Sequence, residues 1–374
     1  MIYLDSAATT MQKPPAVPRA AAYAMAHMAS PGRGGHLPAM RAAETAFACR
    51  QAAAELFGVS NPEQIVFTFN ATHGLNIAIR SLVKPGDRVV VSGWEHNAVT
   101  RPLHGLGAEI AVARAPLFDR AGQIAAFEQA LEEETKAVIC THVSNVFGFI
   151  LPVEEIASLC RNRGIPFILD ASQSAGCLPV RQDRLGAAFI AMPGHKGLYG
   201  PQGTGILICG MEQPLPLLEG GTGSVSMLQS MPEYLPDRLE AGTHNVPGIA
   251  GLLAGLGYVR AKGTEAILRK ERGLIQQTAR GLAHLTDVEL YAADNPADQA
   301  GVLSFRIKDR DCEEVGEALG RRGIAVRAGL HCAPTAHQSA GTLETGTIRL
   351  SVSDFNTPAE VARTIQTVTQ LLRH

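Results

Sequence analysis

An α/β architecture, with a seven-stranded and largely parallel sheet plus a smaller α+β domain, is what this 374-residue sequence predicts, on three observations. Short apolar runs at 64–69, 88–92, 108–113, 136–141, 166–170, 187–192 and 205–209 alternate with helix-length amphipathic stretches such as 71–83 and 153–163. Alternation of that kind builds a parallel sheet covered on both faces, with ligands at the carboxyl ends of the strands. Beyond about residue 257 the rhythm changes to a charged helical segment at 259–285, strands at 302–307, 324–327 and 347–352, and helices at 311–322 and 358–372. Finally, at roughly 150 residues per domain the length calls for two or three units. Two compact domains meeting at a cleft are expected.

Composition removes several classes of function. Hydrophobic residues make up 46% and charged residues 18%, which excludes a disordered or coiled-coil chain. Lys and Arg total 33 against 35 Asp and Glu, a net charge of −2 with no basic run, so nucleic acid is not an expected partner. No stretch approaches the roughly 18 apolar residues of a membrane span. The opening MIYLDSAATTMQKPP places Asp5 where a signal peptide needs apolar residues, so no export is expected. Seven scattered cysteines without a CxxC pair argue against a disulfide framework or a bound metal and fit a reduced cytoplasm.

Chemistry concentrates in two segments. FILDASQSAG (167–176) ends an apolar strand on Asp170, and PGHKGLYGPQGTG (193–205) follows, with Lys196 lying 26 residues after that aspartate in a turn-rich loop. Alone, Asp170 reads as a helix cap and Lys196 as a solvated loop residue. Together, a carboxylate for a cationic ring nitrogen and a lysine for a Schiff base are what pyridoxal phosphate requires.

With LDSAAT at 4–9, EHN at 95–97, EAGTHN at 240–245 and RAGLHCAP at 327–334, the chain resembles the class V aminotransferase family of pyridoxal-phosphate (PLP) enzymes. Within it the likeness is to cysteine desulfurases and selenocysteine lyases of the SufS-like branch. The resemblance implies the PLP-dependent transferase fold type I, with a large domain at 15–256 and a small one formed by 1–14 and 257–374. It also implies a homodimer with sites at the subunit interface. It makes Lys196 the cofactor lysine, Asp170 the partner of the pyridine nitrogen, Gln173 a donor to the ring's phenolic oxygen and His96 the residue stacked on the ring.

A strand turning into a helix at FTFNATHGLN (67–76) would offer the backbone N–H groups of Ala71, Thr72 and His73 to a phosphate, although an ordinary Asn or Thr cap reads equally well. The resemblance adds His195, and Thr243 from the neighbouring subunit. Pro193 and Ala71 stand where relatives usually carry Ser and Thr, which leaves the phosphate more dependent on backbone donors, His195 and Thr243. For the substrate carboxylate, Arg349 lies in a strand with Ile348 and Leu350 turned the other way, a bidentate clamp or else a strand arginine in a salt bridge. The resemblance supports the clamp, helped by Asn145 and the Ala7–Ala8 backbone.

Six cysteines sit in apolar runs or on helical faces, whereas Cys332 occupies a polar loop beside His331 and Arg327, whose positive charge would favour the thiolate. The resemblance makes Cys332 the thiol that takes sulfur from L-cysteine, leaving alanine, a persulfide and a need for a sulfur-acceptor protein. Alternatives are a selenocysteine lyase acting on L-selenocysteine, another class V aminotransferase or β-lyase, and a non-catalytic scaffold. A nicotinamide enzyme is disfavoured because no G-x-G-x-x-G follows the first strands.

Overall fold

The structure, a computed structural model, describes residues 1–32 and 34–372. The chain begins with β1 (Ile2–Tyr3), α1 (Ala16–His27) and α2 (Leu37–Phe57), then enters the alternating region with β2 (Ile65–Thr68), α3 (Ala71–Leu82), β3 (Arg88–Ser92) and α4 (Asn97–Leu106). It continues through β4 (Glu109–Ala113), α5 (Arg120–Ala130), β5 (Thr135–Thr141), α6 (Val153–Asn162), β6 (Phe167–Asp170), α7 (Gln182–Leu185), β7 (Phe189–Pro193) and β8 (Gly205–Cys209). There follow α8 (Val246–Lys262), α9 (Thr264–Leu282), β9 (Val288–Tyr291), β10 (Val302–Ile307), α10 (Cys312–Arg321), β11 (Ile324–Ala325), β12 (Arg327–Gly329), α11 (Pro334–Ala340), β13 (Thr347–Ser351) and α12 (Pro358–Leu371).

Seven strands form the large sheet in the order β2-β8-β7-β6-β5-β3-β4. Neighbours are parallel except at β8, which runs antiparallel to both β7 and β2. Residue alternation feeds both faces. Val90, Val138, Leu169, Ile190 and Ile206 pack in one core with α2, α5, α6 and α8, while Val89, Val91, Ile139, Ile168 and Leu207 pack in the other with α3 and α4. Covered on both sides, the strands read as unbroken apolar runs in the sequence.

The second unit is an antiparallel sheet, β12-β13-β10-β9, whose buried face (Leu303, Phe305, Ile348, Leu350) is sealed by α9, α10 and α12. β1 pairs in parallel with β11, so the first residues join this unit. We propose the division inferred from the sequence, 15–256 against 1–14 plus 257–374. The helix expected at 259–285 is instead two: α8 already starts at Val246, where the Asn245 side chain accepts from Gly248 N, and ends at Gly263 with φ +83°. The strand expected at 324–327 is divided into β11 and β12, which pair with different strands, and β9 was not foreseen. Among the described residues no helix is long and apolar enough to cross a membrane.

One backbone crossing aligns the loops that matter. Gly176, with φ +96°, passes so close to the loop after β7 that a Cβ on it would lie 2.1 Å from the Gly197 carbonyl oxygen, and a Cβ on Gly197 would lie 2.4 Å from that of Ala175. Only two hydrogen atoms fit there. Gly176→Ala combines this overlap with a left-handed backbone and is expected to cost about 3 kcal/mol. Its denaturant midpoint should fall accordingly, whereas Gly164→Ala, with φ +65° but no atom within 4 Å, should lose only the conformational part.

Candidate active site

Three neighbouring strands end together. Thr141 closes β5, Asp170 closes β6 and Pro193 closes β7, and the chain then turns through His195 and Lys196. Facing them are the start of α3 (Asn70–Thr72) and His96, which caps α4. With Asn145 and Gln173 these residues line one cleft. The structure thus brings Asp170, Lys196, His96, Gln173, His195, Asn145, Ala71 and Thr72 to one place.

Burial sets their protonation. Lys196 is lowered to about 8, chiefly by burial, with Asp170 pulling it up and Arg349 and Arg327 pushing it further down. His96 and His195 are both lowered to about 4, burial being the main cause, so both rings are neutral at pH 7. In His96 Nδ1 accepts from Ala98 N (3.0 Å), which places the ring's hydrogen on Nε2. Asp170 accepts from Ser172 N through Oδ1 at 2.9 Å. Glu95, buried beneath and raised to about 8 by burial, accepts from Thr141 N at 2.7 Å and from the Ser92 hydroxyl, fixing the end of β5.

Cys332 is exposed, while the other six cysteines are buried. Cys177 lines a pocket with Lys196, but burial pushes its thiol well above the ordinary range. His331 and Cys332 both adopt left-handed backbone, φ +51° and +56°. Their carbonyls explain how this is held: Asn145 Nδ2 donates to His331 O (2.9 Å) and Asn97 N to Cys332 O (2.8 Å). The thiol loop is therefore pinned to residues adjoining the cleft.

Several expectations need correction. His331 is no cation: burial lowers it to about 2, and its Nε2 lies 3.1 Å from Thr347 O, so it brings no positive charge to Cys332. The His73 N–H is not free for a phosphate, because the Asn70 side chain accepts it at 2.9 Å; Ala71 and Thr72 keep the first-turn donors. The Ala7 and Ala8 N–H groups are spent on Ser351 Oγ (2.9 Å) and Asp5 O (3.1 Å), and it is the Ala7 carbonyl that faces Gln173, accepting from its Nε2 at 3.0 Å. Arg349 is buried and partly engaged, by Asp5 Oδ1 at 2.7 Å and Asn145 O at 3.0 Å, while its Nε and Asn145 Oδ1 have no partner. Thr243 is exposed and lies in a separate pocket beside Phe69 and His244, outside the cleft of its own chain.

Asn97, Glu95 and the clamp on the His195 carbonyl from Thr9, Thr10 and Lys13 went unread as functional. Glu95 and Asn97 belong to the EHN segment and Thr9 to LDSAAT, while Thr10 and Lys13 merely follow it. In the protein without cofactor, amine labelling of Lys196 should be half-maximal near pH 8. Asp170→Asn should move that midpoint down, since the lost carboxylate favoured the ammonium. Mapping of the labelled peptide across pH measures both; an unmoved midpoint would separate Asp170 from Lys196.

A comparison with known proteins agrees with this geometry. The aminotransferase class-V family profile matches residues 2–364. A probable cysteine desulfurase from Methanothermobacter thermautotrophicus is 34% identical, the alignment covering 96% of this chain and 92% of the relative. Another from Mycolicibacterium paratuberculosis is 35% identical across 96% of this chain, which spans only 54% of that longer protein. A solved cysteine desulfurase from Thermococcus onnurineus NA1 superposes with a TM-score of 0.91 at 31% identity, covering 100% of this chain and 94% of that one. Motifs, cleft and comparisons together place this chain in the aminotransferase class-V family.

Proposed function

We propose that the chain is a PLP-dependent cysteine desulfurase, converting L-cysteine to L-alanine and leaving a persulfide on Cys332. The observation that carries this reading is the exposed thiol of Cys332, in a loop whose His331 carbonyl is held by Asn145, a residue that lines the cleft with Asp170 and Lys196.

The residues fit the cofactor. Asp170 would hold the proton on the pyridine nitrogen, Gln173 would donate to the phenolic oxygen, and neutral His96 would lie against the ring with its hydrogen on Nε2. The first-turn N–H groups of Ala71 and Thr72, the positive end of α3, His195 and Thr243 of a second subunit would hold the phosphate. When bound, PLP supplies an aldehyde for amines and a cationic ring that withdraws electrons from the captured amino acid.

The chain's own groups do the rest. With a pKa of about 8, Lys196 is neutral in a useful fraction of molecules near neutral pH, so its Nζ serves first as a nucleophile and then as the base that takes the Cα proton. Arg349 Nε and Asn145 Oδ1 are buried without a partner and would orient the substrate carboxylate and amine. Cys332 attacks as thiolate: its S–S bond to the substrate sulfur forms as the substrate Cβ–S bond breaks. The electron pair stays with Cβ, which takes a proton to become the methyl group of alanine. Exposure of Cys332 then leaves the persulfide open to an acceptor protein or thiol. Seven cysteines without a disulfide suit the reducing cytoplasm.

Borohydride treatment of the cofactor-loaded protein, followed by peptide mapping, should place the pyridoxyl group on Lys196; a label elsewhere would overturn the site. Cys332→Ser should retain cofactor absorbance yet lose nearly all alanine release from L-cysteine. Mass spectrometry of the unaltered protein after one turnover should find one added sulfur on the Cys332 peptide. Wild-type alanine release by Cys332→Ser would replace the desulfurase reading with a thiol-independent elimination or a transamination.

A further inference from the structure

The EAGTHN segment contains more than Thr243. Glu240 and Arg50 are each 7% exposed and form a two-pronged ion pair, Nη1 to Oε1 at 2.7 Å and Nη2 to Oε2 at 2.5 Å. Both also bond the free edge of the large sheet. β2 is an outermost strand, paired only with β8. On its open side Phe67 N donates to Glu240 Oε1 (2.5 Å) and Arg50 Nη1 donates to Ile65 O. The ion pair thus stands in for a missing neighbouring strand. The guanidinium also lies 4.2 Å from the Phe67 ring centre, and His244 Nε2 lies 2.5 Å from Glu240 Oε2.

Stability alone is a poor reason for this arrangement. A buried ion pair sacrifices hydration that its attraction barely restores, and replacement by well-packed apolar groups is often neutral or stabilising. What such a pair does well is fix one register. Here the two segments it registers are functional on both sides. β2 leads through Thr68 and Asn70 into Ala71 and Thr72, and Glu240 and His244 bracket Thr243 in sequence and line one pocket with Phe67, Thr68 and Phe69. Burial alone would raise the Glu240 carboxyl, but Arg50 and His244 outweigh it and hold it below its usual range, so the carboxylate stays charged.

The geometry points to Arg50, Glu240 and His244 as positioning residues of the phosphate site, holding the Thr243 loop at a set distance from the strand that delivers the α3 donors. One chain's cluster then holds, against its own β2, the Thr243 that it lends to a second copy. None of the three lines the Asp170–Lys196 cleft of its own chain. The inference rests on the PLP reading above and deepens it.

The test compares PLP with pyridoxal, which lacks the phosphate, each titrated into cofactor-free full-length protein and followed by absorbance. In Glu240→Gln, PLP affinity should fall on the order of tenfold, the scale seen when an outer support of a ligand contact is lost, while pyridoxal affinity stays within about twofold. Thr243→Ala should show the same selective loss, and the double variant should be no weaker than the worse single one, because Glu240 acts through Thr243. Equal losses for PLP and pyridoxal, or losses that multiply in the double variant, would show a general packing role and overturn the proposal. So would wild-type PLP affinity in Glu240→Gln. Should Glu240→Gln fail to fold, His244→Gln leaves the Arg50 pair intact and carries the same comparison, with a phosphate-selective loss expected and none overturning it. Absence of PLP binding by the unaltered protein would instead refute the PLP reading itself, a result distinct from each of these.

Discussion

The position of Lys196 depends on a single clamped peptide. The His195 carbonyl accepts from Thr10 N (3.1 Å), Thr10 Oγ1 (2.9 Å), Thr9 Oγ1 (3.3 Å) and Lys13 Nζ (2.9 Å), all from the N-terminal strap. On the far side Gly197 meets Gly176 backbone to backbone. Between these two restraints Lys196 lines the cleft with Asp170, whose charge acts on its ammonium. Because β1 and β11 tie the same strap to the second unit, the lysine also senses how the two units sit together. Most of the site inherits its geometry from this arrangement, including the cleft wall formed by Gln173, whose amide donates to Ala7 O.

Charge within the cleft is managed by excluding protons rather than by pairing everything. His96, His195 and His331 are all kept neutral by burial, while Arg327 and Arg349 both act on Lys196 as positive charges. Arg327 and Arg349 sit directly opposite each other on β12 and β13, an unfavourable pairing of like charges offset by Asp5. A carboxylate entering there relieves a repulsion as well as adding an attraction. That is a stronger basis for recognition than an isolated exposed arginine, whose ion pairs are largely screened.

The thiol loop shows a related economy of restraint. Two consecutive residues in left-handed backbone are costly for side chains larger than glycine, and they persist only where surroundings over-determine them. Here the restraints come from Asn145 and Asn97, one lining the cleft and the other following His96. Their carbonyl contacts couple the orientation of Cys332 to the groups proposed to hold the cofactor and substrate, without any direct bond to the sulfur.

The seven strands of the large sheet and the meeting of Asp170 with Lys196 in one cleft were legible in the sequence. Apolar runs covered on both faces, Gly-bounded turns and a carboxylate at a strand's end leave local signatures that survive without knowing what packs against them. The Asn70 cap was legible too, as the ordinary reading of FTFNATHG, and it is this cap that removes His73 from the donor set. What sequence could not show is occupancy. Whether the Ala7 N–H is free, whether His331 carries a proton, or how much of Arg349 remains for a ligand depends on partners more than a hundred residues away for Ala7 and Arg349, and on desolvation for His331. The break at Gly263 follows from which unit each helix packs against, and the division of 324–327 from the different strands that β11 and β12 pair with. Local chemistry determined which groups are present; only the tertiary structure decided which remain available, because hydrogen bonding and burial are settled by neighbours distant in the chain.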